Sequence, residues 1–231
     1  MTDPGFEILL DDAACFVVIK PAGLLTQAPL GIDSLEFRIK RFLKQRENLP
    51  GDVYLGVPHR LDRPVSGVIA FARNQRAARR ISEQFEGRLV EKTYHALVGG
   101  HVAEDSGTWT DYLKKVEGEP RTEVVDKLDP DGRIAVLHFQ VLRRLSAATL
   151  LEIRLETGRT HQIRVQCSQH GHPLLGDQLY GSRVLFGPDA PDERDRLIAL
   201  HARSLRFKHP QTKLPLLFEA PLPALWNSWL E

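Results

Sequence analysis

The 231-residue sequence predicts a fold in which antiparallel β-strands are combined with amphipathic helices. Short runs of β-branched and aromatic residues alternate with Pro/Gly turn signals, as expected of paired strands. Two stretches with apolar residues at helical spacing each follow an N-cap residue, as expected of helices that cover a sheet. The chain is 42% hydrophobic and 26% charged, an ordinary globular composition that allows one large domain or two small subdomains sharing a core.

The N-terminal part of the chain predicts one strand and two helices. Residues 14–19 predict a buried strand that the turn 20–23 ends. Ser34 and Asn74 are good N-caps, and each precedes an apolar stripe: Leu35, Ile39, Phe42 and Leu43 in the first helix, and Ala77, Ala78, Ile81 and Phe85 in the second. The remaining faces are basic, which is equally compatible with solvent exposure and with an RNA-facing role.

The following part of the chain is rich in strand signals. Strands are predicted over residues 91–98, 121–128, 134–142 and 148–156. The turn residues 129–132 separate two of these runs, so successive strands are expected to pair antiparallel. Residues 182–196 predict a surface loop, because they are rich in Gly, Pro and charged residues.

Charge and composition exclude several classes of protein. A net charge of +1 argues against a protein that coats nucleic acid through bulk charge, although local basic grooves remain compatible. Cys15 and Cys167 are far apart, so neither a zinc knuckle nor a disulfide framework is indicated, and both are expected to pack as small apolar groups. The N-terminus is not of the signal-peptide type and no apolar run could span a bilayer, which predicts a cytoplasmic protein without membrane contact.

The most informative segment is the loop 59–67, His-Arg-Leu-Asp-Arg-Pro-Val-Ser-Gly, which precedes the apolar run 68–72. Asp62 lies between Arg60 and Arg63 in this loop. Cations nearby favour the ionised carboxylate, which is the form that a nucleophile needs. Loops beside rigid strands often carry catalytic groups, so Asp62 is a candidate nucleophile.

A second constellation spans residues 156–166, where a strand is expected to end and a helix to begin. Gly158 suits a tight turn and Thr160 is a good N-cap. Arg164 follows Thr160 by four residues, so both are expected to project from one face of the first helical turns. The free backbone N–H groups at such a helix start suit phosphates.

Several motifs, in order along the chain, resemble those of the RluA-type pseudouridine synthases, which isomerise uridine in ribosomal or transfer RNA. The loop 59–67 resembles their HRLD-x-x-(T/S)-S-G signature, and residues 156–166 contain G-R-T-H-Q-I-R. Further matches are the strand and K-P-A/S-G turn of residues 12–25, E-K-x-Y-x-A-x-V at 91–98, H-P-x-x-G-D-x-x-Y-G at 172–181, and the closing pattern at 200–223.

The resemblance implies an α+β fold with a mixed, mostly antiparallel central sheet, flanking helices and two subdomains around a catalytic cleft. It implies one catalytic domain over residues 1–231, without the N-terminal RNA-binding domain that many relatives carry.

The resemblance also implies Asp62 as the catalytic aspartate, Tyr94 as the aromatic that stacks on the target base, and Arg164 as the cation paired with Asp62. Substrate-binding residues carried over in the same way are His59, Arg60, Arg159, Thr160, His161 and Gln162. Val65 and Arg63-Pro64 depart from the family pattern, which puts details of substrate contact in question.

The reaction implied by the resemblance explains why no cofactor motif is needed. Uridine is detached from its ribose at nitrogen and rejoined through carbon 5, with no redox change, and the chain has neither a GxGxxG nor a P-loop. A carboxylate could attack the sugar, attack the base or remove a sugar proton, and the sequence leaves these three routes open. No metal is expected.

Two other functions are compatible with parts of the sequence. A metal-dependent hydrolase would use some of the nine histidines, but no HExxH accompanies His161, His170 or His172. A non-catalytic RNA-binding module would explain the basic helices but not the set Asp62, Tyr94 and Arg164. The resemblance implies structured RNA, ribosomal or transfer, as the partner, with no obligate protein partner and a monomeric state.

Overall fold

The computed structural model describes residues 4–231, which form two compact units. The first unit contains the chain up to Glu91 together with Ala202–Pro221. The second contains Lys92–His201 together with Leu222–Glu231. Each unit is therefore assembled from two separate stretches of the chain.

Strands outnumber helices among the described residues. The strands are β1 (Glu7–Asp11), β2 (Cys15–Lys20), β3 (Ser66–Ala72), β4 (Glu91–Gly99), β5 (Ser106–Lys115), β6 (Thr122–Val125), β7 (Arg133–Arg144), β8 (Ala148–Leu155), β9 (Leu200–Lys208) and β10 (Pro215–Glu219). The α-helices are α1 (Leu35–Arg46), α2 (Gln75–Glu86), α3 (Gln162–Gln169) and α4 (Asn227–Leu230).

In the first unit, strands lie in the order β1-β2-β3-β9, and β10 pairs with β9. The pairs β1–β2, β2–β3 and β9–β10 are antiparallel. Helix α2 buries Ala77 and Ile81 against the sheet residues Val17, Val68 and Phe207. Helix α1 buries Leu35, Ile39 and Leu43, and its Phe42 ring lies among the rings of Phe6 and Phe16.

In the second unit, strands lie in the order β4-β8-β7-β5-β6, with every neighbouring pair antiparallel. Val165 of α3 packs with Leu113, Ala135 and Tyr180. The C-terminal segment contributes the buried Trp226, whose ring meets that of Phe186 edge-on at 5.4 Å.

Gly67 is required where β3 begins. Its φ is +118°, and a β-carbon there would lie 2.2 Å from the carbonyl oxygen of Ala202. Only glycine therefore allows the backbones of β3 and β9 to approach so closely at the end of the loop 59–67.

The elements predicted from the sequence are largely confirmed. The predicted N-caps Ser34 and Asn74 accept hydrogen bonds from the backbone N–H groups of Phe37 and Ala77. The α+β class is confirmed as well. The expected pairing of the strands around residues 121–128 and 134–142 is wrong, because β5 lies between β6 and β7.

The structure also bears on the cysteines and on membrane-spanning helices. Cys15 and Cys167 are both buried and unpaired, as expected. No helix within residues 4–231 has the length and apolar character required to cross a membrane.

Candidate active site

The two units share the predicted site residues between them. His59, Arg60 and Asp62 belong to the first unit, whereas Tyr94, Arg159, Thr160, His161, Gln162 and Arg164 belong to the second. The pairing of Asp62 with Arg164 stays a prediction.

The loop that carries Asp62 is fixed on both sides of that residue. Leu61 is buried, and its N–H and carbonyl both bond to the hydroxyl of Thr26, at 3.1 and 2.8 Å. Val65 is buried too, and its N–H donates to the carbonyl of Asp62 at 3.1 Å. The Asp62 side chain, partly exposed, is thus presented from a tight turn with buried neighbours.

Lys20 lies beneath this loop with no exposed surface. Its ammonium donates to the carbonyls of Pro21 (2.9 Å), Leu24 (2.6 Å) and Arg63 (3.1 Å). Three acceptors use all three protons of an ammonium group. Burial lowers the pKa of Lys20 to about 7, while the carboxylate of Asp62 acts in the opposite direction.

Arg63, a departure from the family pattern, acquires a structural role. Its Nε donates to the carbonyl of Gly23 at 3.0 Å, and the N–H of Gly23 donates to the carbonyl of Arg63 at 2.9 Å. These reciprocal bonds join the Asp62 loop to the turn 20–23. The Lys-Pro-Ala-Gly turn thus holds the Asp62 loop in place through hydrogen bonds from Lys20 and Gly23.

His59 anchors the start of the same loop. Its Nε2 accepts the N–H of Ala70 in β3 at 3.0 Å, and its ring stacks on that of Phe85 in α2 at 4.5 Å between centroids. These contacts give His59 a positioning role between the loop and α2. Arg60, by contrast, is exposed, as a residue that contacts RNA must be.

The turn before α3 departs from the prediction. The helix begins at Gln162 and its N-cap position is His161, so the expectation that Thr160 caps the helix and shares a face with Arg164 is wrong. His161 has φ 54° and ψ 21°, a left-handed conformation that is uncommon outside glycine. Thr160 is consequently exposed in the turn rather than within the helix.

Gln162 explains how this strained turn is held. Its side chain is 3% exposed, and its oxygen accepts from the hydroxyl of Thr157 at 2.8 Å and the N–H of Arg159 at 3.0 Å. Its Nε2 donates to the carbonyl of Val136 at 3.1 Å. This network ties the turn to β7, while no side chain of the described residues caps the start of α3. Direct contact of Gln162 with RNA does not fit such burial, whereas Arg159, Thr160 and His161 are accessible.

Arg164 projects from the first turn of α3 into a buried ion pair with Asp177. Nε and Nη2 bond to the two carboxylate oxygens at 2.7 and 2.8 Å, and the side chains are 8% and 1% exposed. The guanidinium also lies 5.1 Å from the ring centre of Tyr180. A two-point carboxylate contact fixes both the position and the plane of a guanidinium.

Tyr180 extends this arrangement to His161. Its hydroxyl accepts the N–H of Thr122 at 2.9 Å and lies 2.9 Å from Nδ1 of His161. The same hydroxyl therefore bonds to both the backbone of Thr122 in β6 and the imidazole of His161. Arg164, Asp177, Tyr180 and His161 therefore form one connected set in the second unit.

Asp177 is the partner of Arg164 that the sequence did not predict. The signal was present in the Gly176-Asp177 step of the 172–181 motif, but spacing alone did not connect it with Arg164. Gly176 has φ +83°, and a β-carbon there would lie 2.1 Å from the carbonyl oxygen of Leu197. The glycine thus lets the loop pass close to its neighbour and deliver Asp177 to α3.

Tyr94 lies on β4, opposite Ile153 of β8, and is partly exposed. Lys92 projects from the same face of the strand, two residues earlier. Burial lowers the pKa of Lys92. A partly exposed aromatic ring on a rigid strand offers the kind of face on which a base can stack.

One group of side chains in the described residues contains three possible metal ligands close together. Asp12, Cys15 and His209 have donor atoms within 4.8 Å of one another. Asp12 accepts the N–H groups of Ala14 and Cys15 and contacts Nε2 of His209 at 2.9 Å. Burial raises the pKa of the Cys15 thiol to about 12, which disfavours the thiolate that a metal requires. The contacts fit a structural tie between the β1–β2 turn and the end of β9.

Residues 14–169 match the sequence profile of the RNA pseudouridylate synthase family. The chain belongs to this family. The matched segment includes the Asp62 loop, Tyr94 and Arg164, and excludes Asp177. As the family predicts, the chain is an RNA pseudouridine synthase, an isomerase.

Similar proteins extend the pseudouridine synthase match to nearly the whole chain. Ribosomal large subunit pseudouridine synthase D of Xylella fastidiosa is 35% identical over 96% of the chain and 67% of the relative. Its counterpart from Pseudomonas aeruginosa is 35% identical over 97% of the chain and 71% of the relative. The chain thus spans about two thirds of the length of these relatives.

The fold of this pseudouridine synthase is similar to that of solved structures. Human RNA Pseudouridylate Synthase Domain Containing 4 matches with a TM-score of 0.78 and 24% identity, over 97% of the chain and 91% of the human chain. Human RNA Pseudouridylate Synthase Domain Containing 1 matches with a TM-score of 0.73 and 26% identity, over 98% and 88%. The α+β fold expected from the sequence motifs is therefore that of pseudouridine synthase domains.

Proposed function

We propose that this pseudouridine synthase isomerises uridine in ribosomal RNA, with Asp62 as the catalytic carboxylate. The choice of ribosomal over transfer RNA rests on the relatives named ribosomal large subunit pseudouridine synthases. The assignment of Asp62 is carried by the fixation of its loop: Thr26, Lys20 and Gly23 bond to the residues on either side of it.

The chemistry determines what Asp62 must do. The bond between the ribose carbon and N1 breaks, the base turns, and a bond to carbon 5 forms, while carbon 5 loses a proton and N1 gains one. Attack on the sugar, attack on the base and removal of a sugar proton all need an ionised carboxylate. A fixed loop reduces the entropic cost of bringing the carboxylate into the reactive geometry.

Tyr94 and Arg164 complete the proposed catalytic set. Tyr94 stacks on the target base, and its hydroxyl assists removal of the proton from carbon 5. Arg164 is proposed to pair with Asp62 and to orient its carboxylate. Asp177 already fixes one edge of the Arg164 guanidinium, which supports a role for Arg164 as a positioned cation.

The substrate must reach the site as an unstacked nucleotide, because atoms of a base within a helix are inaccessible. Arg60, Arg159, Thr160 and His161 are the proposed RNA contacts, and all four are at least partly exposed. We place His59 and Gln162 among the residues that support these contacts. The protein is proposed to act in the cytoplasm as a monomer, with residues 1–231 as a single catalytic domain.

The test compares Asp62→Asn with Asp52→Asn, which removes an exposed carboxylate of the same unit. Each protein is incubated with deproteinised ribosomal RNA, and pseudouridine is mapped chemically. We expect activity from the wild type and Asp52→Asn and at least a thousandfold loss in Asp62→Asn, as for removal of a nucleophile. Equal activity in Asp62→Asn contradicts the assignment, and binding by the wild type without any pseudouridine favours a non-catalytic RNA-binding module.

A further inference from the structure

A pocket of about 410 Å³ lies on the first unit beside helix α1. We call it the α1 pocket and define it by Gly5, Gly31, Ile32, Phe37, Arg38 and Arg41. Its volume lies within the range of small-ligand pockets. None of these residues belongs to the catalytic set.

An aromatic ring and an apolar side chain are exposed in the α1 pocket. Phe37 is 48% exposed and Ile32 is 52% exposed, so a ring and an apolar side chain are both accessible to a ligand. The guanidinium of Arg41, one helical turn further on, lies 5.8 Å from the centre of the Phe37 ring. A ring with an adjacent cation is the arrangement on which bases of single-stranded RNA stack.

The charge of the surrounding surface is complementary to RNA. Helix α1 has five basic residues and one acidic residue, whereas the whole chain has a net charge of only +1. Asp33 also borders the pocket, but hydrogen bonds from Arg38 and the nearby Arg41 hold its pKa below its usual value. Within residues 4–231, Arg41 and Lys44 form no ion pair, so their charges are available to phosphates.

The α1 pocket is connected to the catalytic loop through a short stretch of backbone. The N–H of Leu35 donates to the carbonyl of Leu25 at 2.8 Å, and the N–H of Glu36 donates to the carbonyl of Thr26 at 3.0 Å. The hydroxyl of Thr26 in turn holds Leu61, next to Asp62. The start of α1 and the Asp62 loop are therefore held in one framework.

We propose that the α1 pocket binds one unpaired nucleotide of the RNA substrate, away from the uridine that is modified, with its base on Phe37 and its phosphate at Arg41. The proposal rests on the proposed function only in that the ligand is RNA. Recognition of a second nucleotide at a fixed distance from the catalytic loop would contribute to the choice of uridine.

The main test measures RNA binding by three substitutions of Phe37. The probe is a fluorescent oligouridine, and deproteinised ribosomal RNA serves as the competitor. We expect Phe37→Ala and Phe37→Leu to raise Kd about tenfold, the effect of losing one stacked base, and Phe37→Trp to bind as the wild type does. Unchanged binding by Phe37→Ala overturns the proposal. If Phe37→Ala weakens RNA binding but Phe37→Leu binds as tightly as the wild type, the proposal is overturned too. In that case any apolar side chain suffices, as at a docking surface for a protein, and no base stacks on a ring.

A charge control and a crosslink separate this pocket from general electrostatics. Arg41→Gln is compared with Arg76→Gln, which removes an exposed cation of helix α2. We expect only Arg41→Gln to weaken RNA binding. In a plot of log K against log salt concentration, this variant should have a slope that is shallower by about 0.7, which corresponds to the loss of one phosphate contact. Equal effects of both variants contradict the proposal.

Oligouridine containing thiouridine is then photocrosslinked to the wild-type protein, and we expect a crosslink in the peptide that contains Phe37. A crosslink pattern without this peptide contradicts the α1 pocket. The test is independent of catalysis: absence of pseudouridine from the wild type refutes the proposed function, whereas the crosslink and the Phe37 series alone decide on the pocket.

Discussion

Individual contacts explain how this chain fixes its candidate catalytic groups. Asp62 lies in a loop held by the hydroxyl of Thr26 and the ammonium of Lys20, and Arg164 lies against the carboxylate of Asp177. In both cases a buried polar residue with several hydrogen bonds supports a residue proposed to meet the substrate. Such supporting contacts are needed because catalytic groups must be held to a fraction of an ångström.

Lys20 leads to a prediction about pH. Its ammonium form, present below a pKa of about 7, has the three protons that three carbonyls require. Above that pH the neutral amine has two protons, so one contact is lost and the Asp62 loop loosens. We expect the ratio of wild-type kcat to that of Lys20→Met to fall as pH rises through the pKa of Lys20, with other titrations cancelling in the ratio.

The measurement is kcat for pseudouridine formation between pH 6 and 9, with circular dichroism at each pH as the control for folding. A ratio that stays constant across this range contradicts a role for the Lys20 proton.

Asp177 leads to a prediction about kcat and KM. Asp177→Asn leaves the buried Arg164 without its charged partner, which we expect to lower the free energy of unfolding by on the order of 3 kcal/mol. A displaced guanidinium should lower kcat at least tenfold while KM changes little, because Asp177 itself is buried away from RNA. Kinetics at a temperature where the variant is folded provide the measurement.

Asp189→Asn, in an exposed loop of the same unit, is the matched control and should behave as the wild type. If Asp177→Asn shows the loss of stability together with an unchanged kcat, Asp177 has only a structural role.

At the scale of elements, the sequence predicted what local patterns determine and missed what tertiary contacts determine. Helices α1 and α2 were predictable because a capping side chain precedes an apolar stripe in each. Strand β5 was missed because Asp111 interrupts its apolar alternation. The structure compensates this carboxylate with Nε2 of Gln166 at 2.7 Å, a contact 55 residues distant in sequence.

The candidate site divides in the same way. The motifs identified the residues proposed for catalysis, because their spacing along the chain is itself the signal. They did not reveal the ion pair of Arg164 with Asp177 or the hydrogen bonds from Lys20 and Gly23 to the Asp62 loop. They did not reveal the left-handed turn at His161 either. These features depend on which segments meet after folding, and single-sequence spacing does not contain that information.

Gly67 leads to a prediction at the level of the sheet. A β-carbon in Gly67→Ala would collide with the carbonyl of Ala202, so β3 and β9 must separate. We expect a loss of stability of roughly 4 kcal/mol or more, at the severe end of single substitutions. Gly118→Ala, also at positive φ but in open space, should cost only about 1–2 kcal/mol.

Denaturant unfolding of both variants, followed by circular dichroism, measures the difference. A Gly67→Ala protein as stable as Gly118→Ala shows that the strands can adjust, and that the close approach is not required.

At the scale of the whole molecule, charge and chain connectivity matter most. Although the net charge of the chain is only +1, helix α1 is strongly basic, so the net charge does not describe the surface proposed to contact RNA. The two units are each assembled from an early and a late stretch of sequence. The residues proposed for catalysis come from both units, so activity depends on completing both.

This interleaved connectivity has a consequence for biosynthesis. Strand β3 leaves the ribosome long before its neighbour β9, because the 92–201 stretch is made in between. During that interval the hydrogen-bonding edge of β3 lacks its native partner and is a site where nascent chains can associate wrongly. The loop bearing Asp62, directly before β3, is bonded by residues 20–26, which are synthesised early, whereas the close approach of Gly67 to Ala202 forms only when β9 emerges. The proposed catalytic loop is therefore held from one side early in synthesis, and the strand that follows it is completed late.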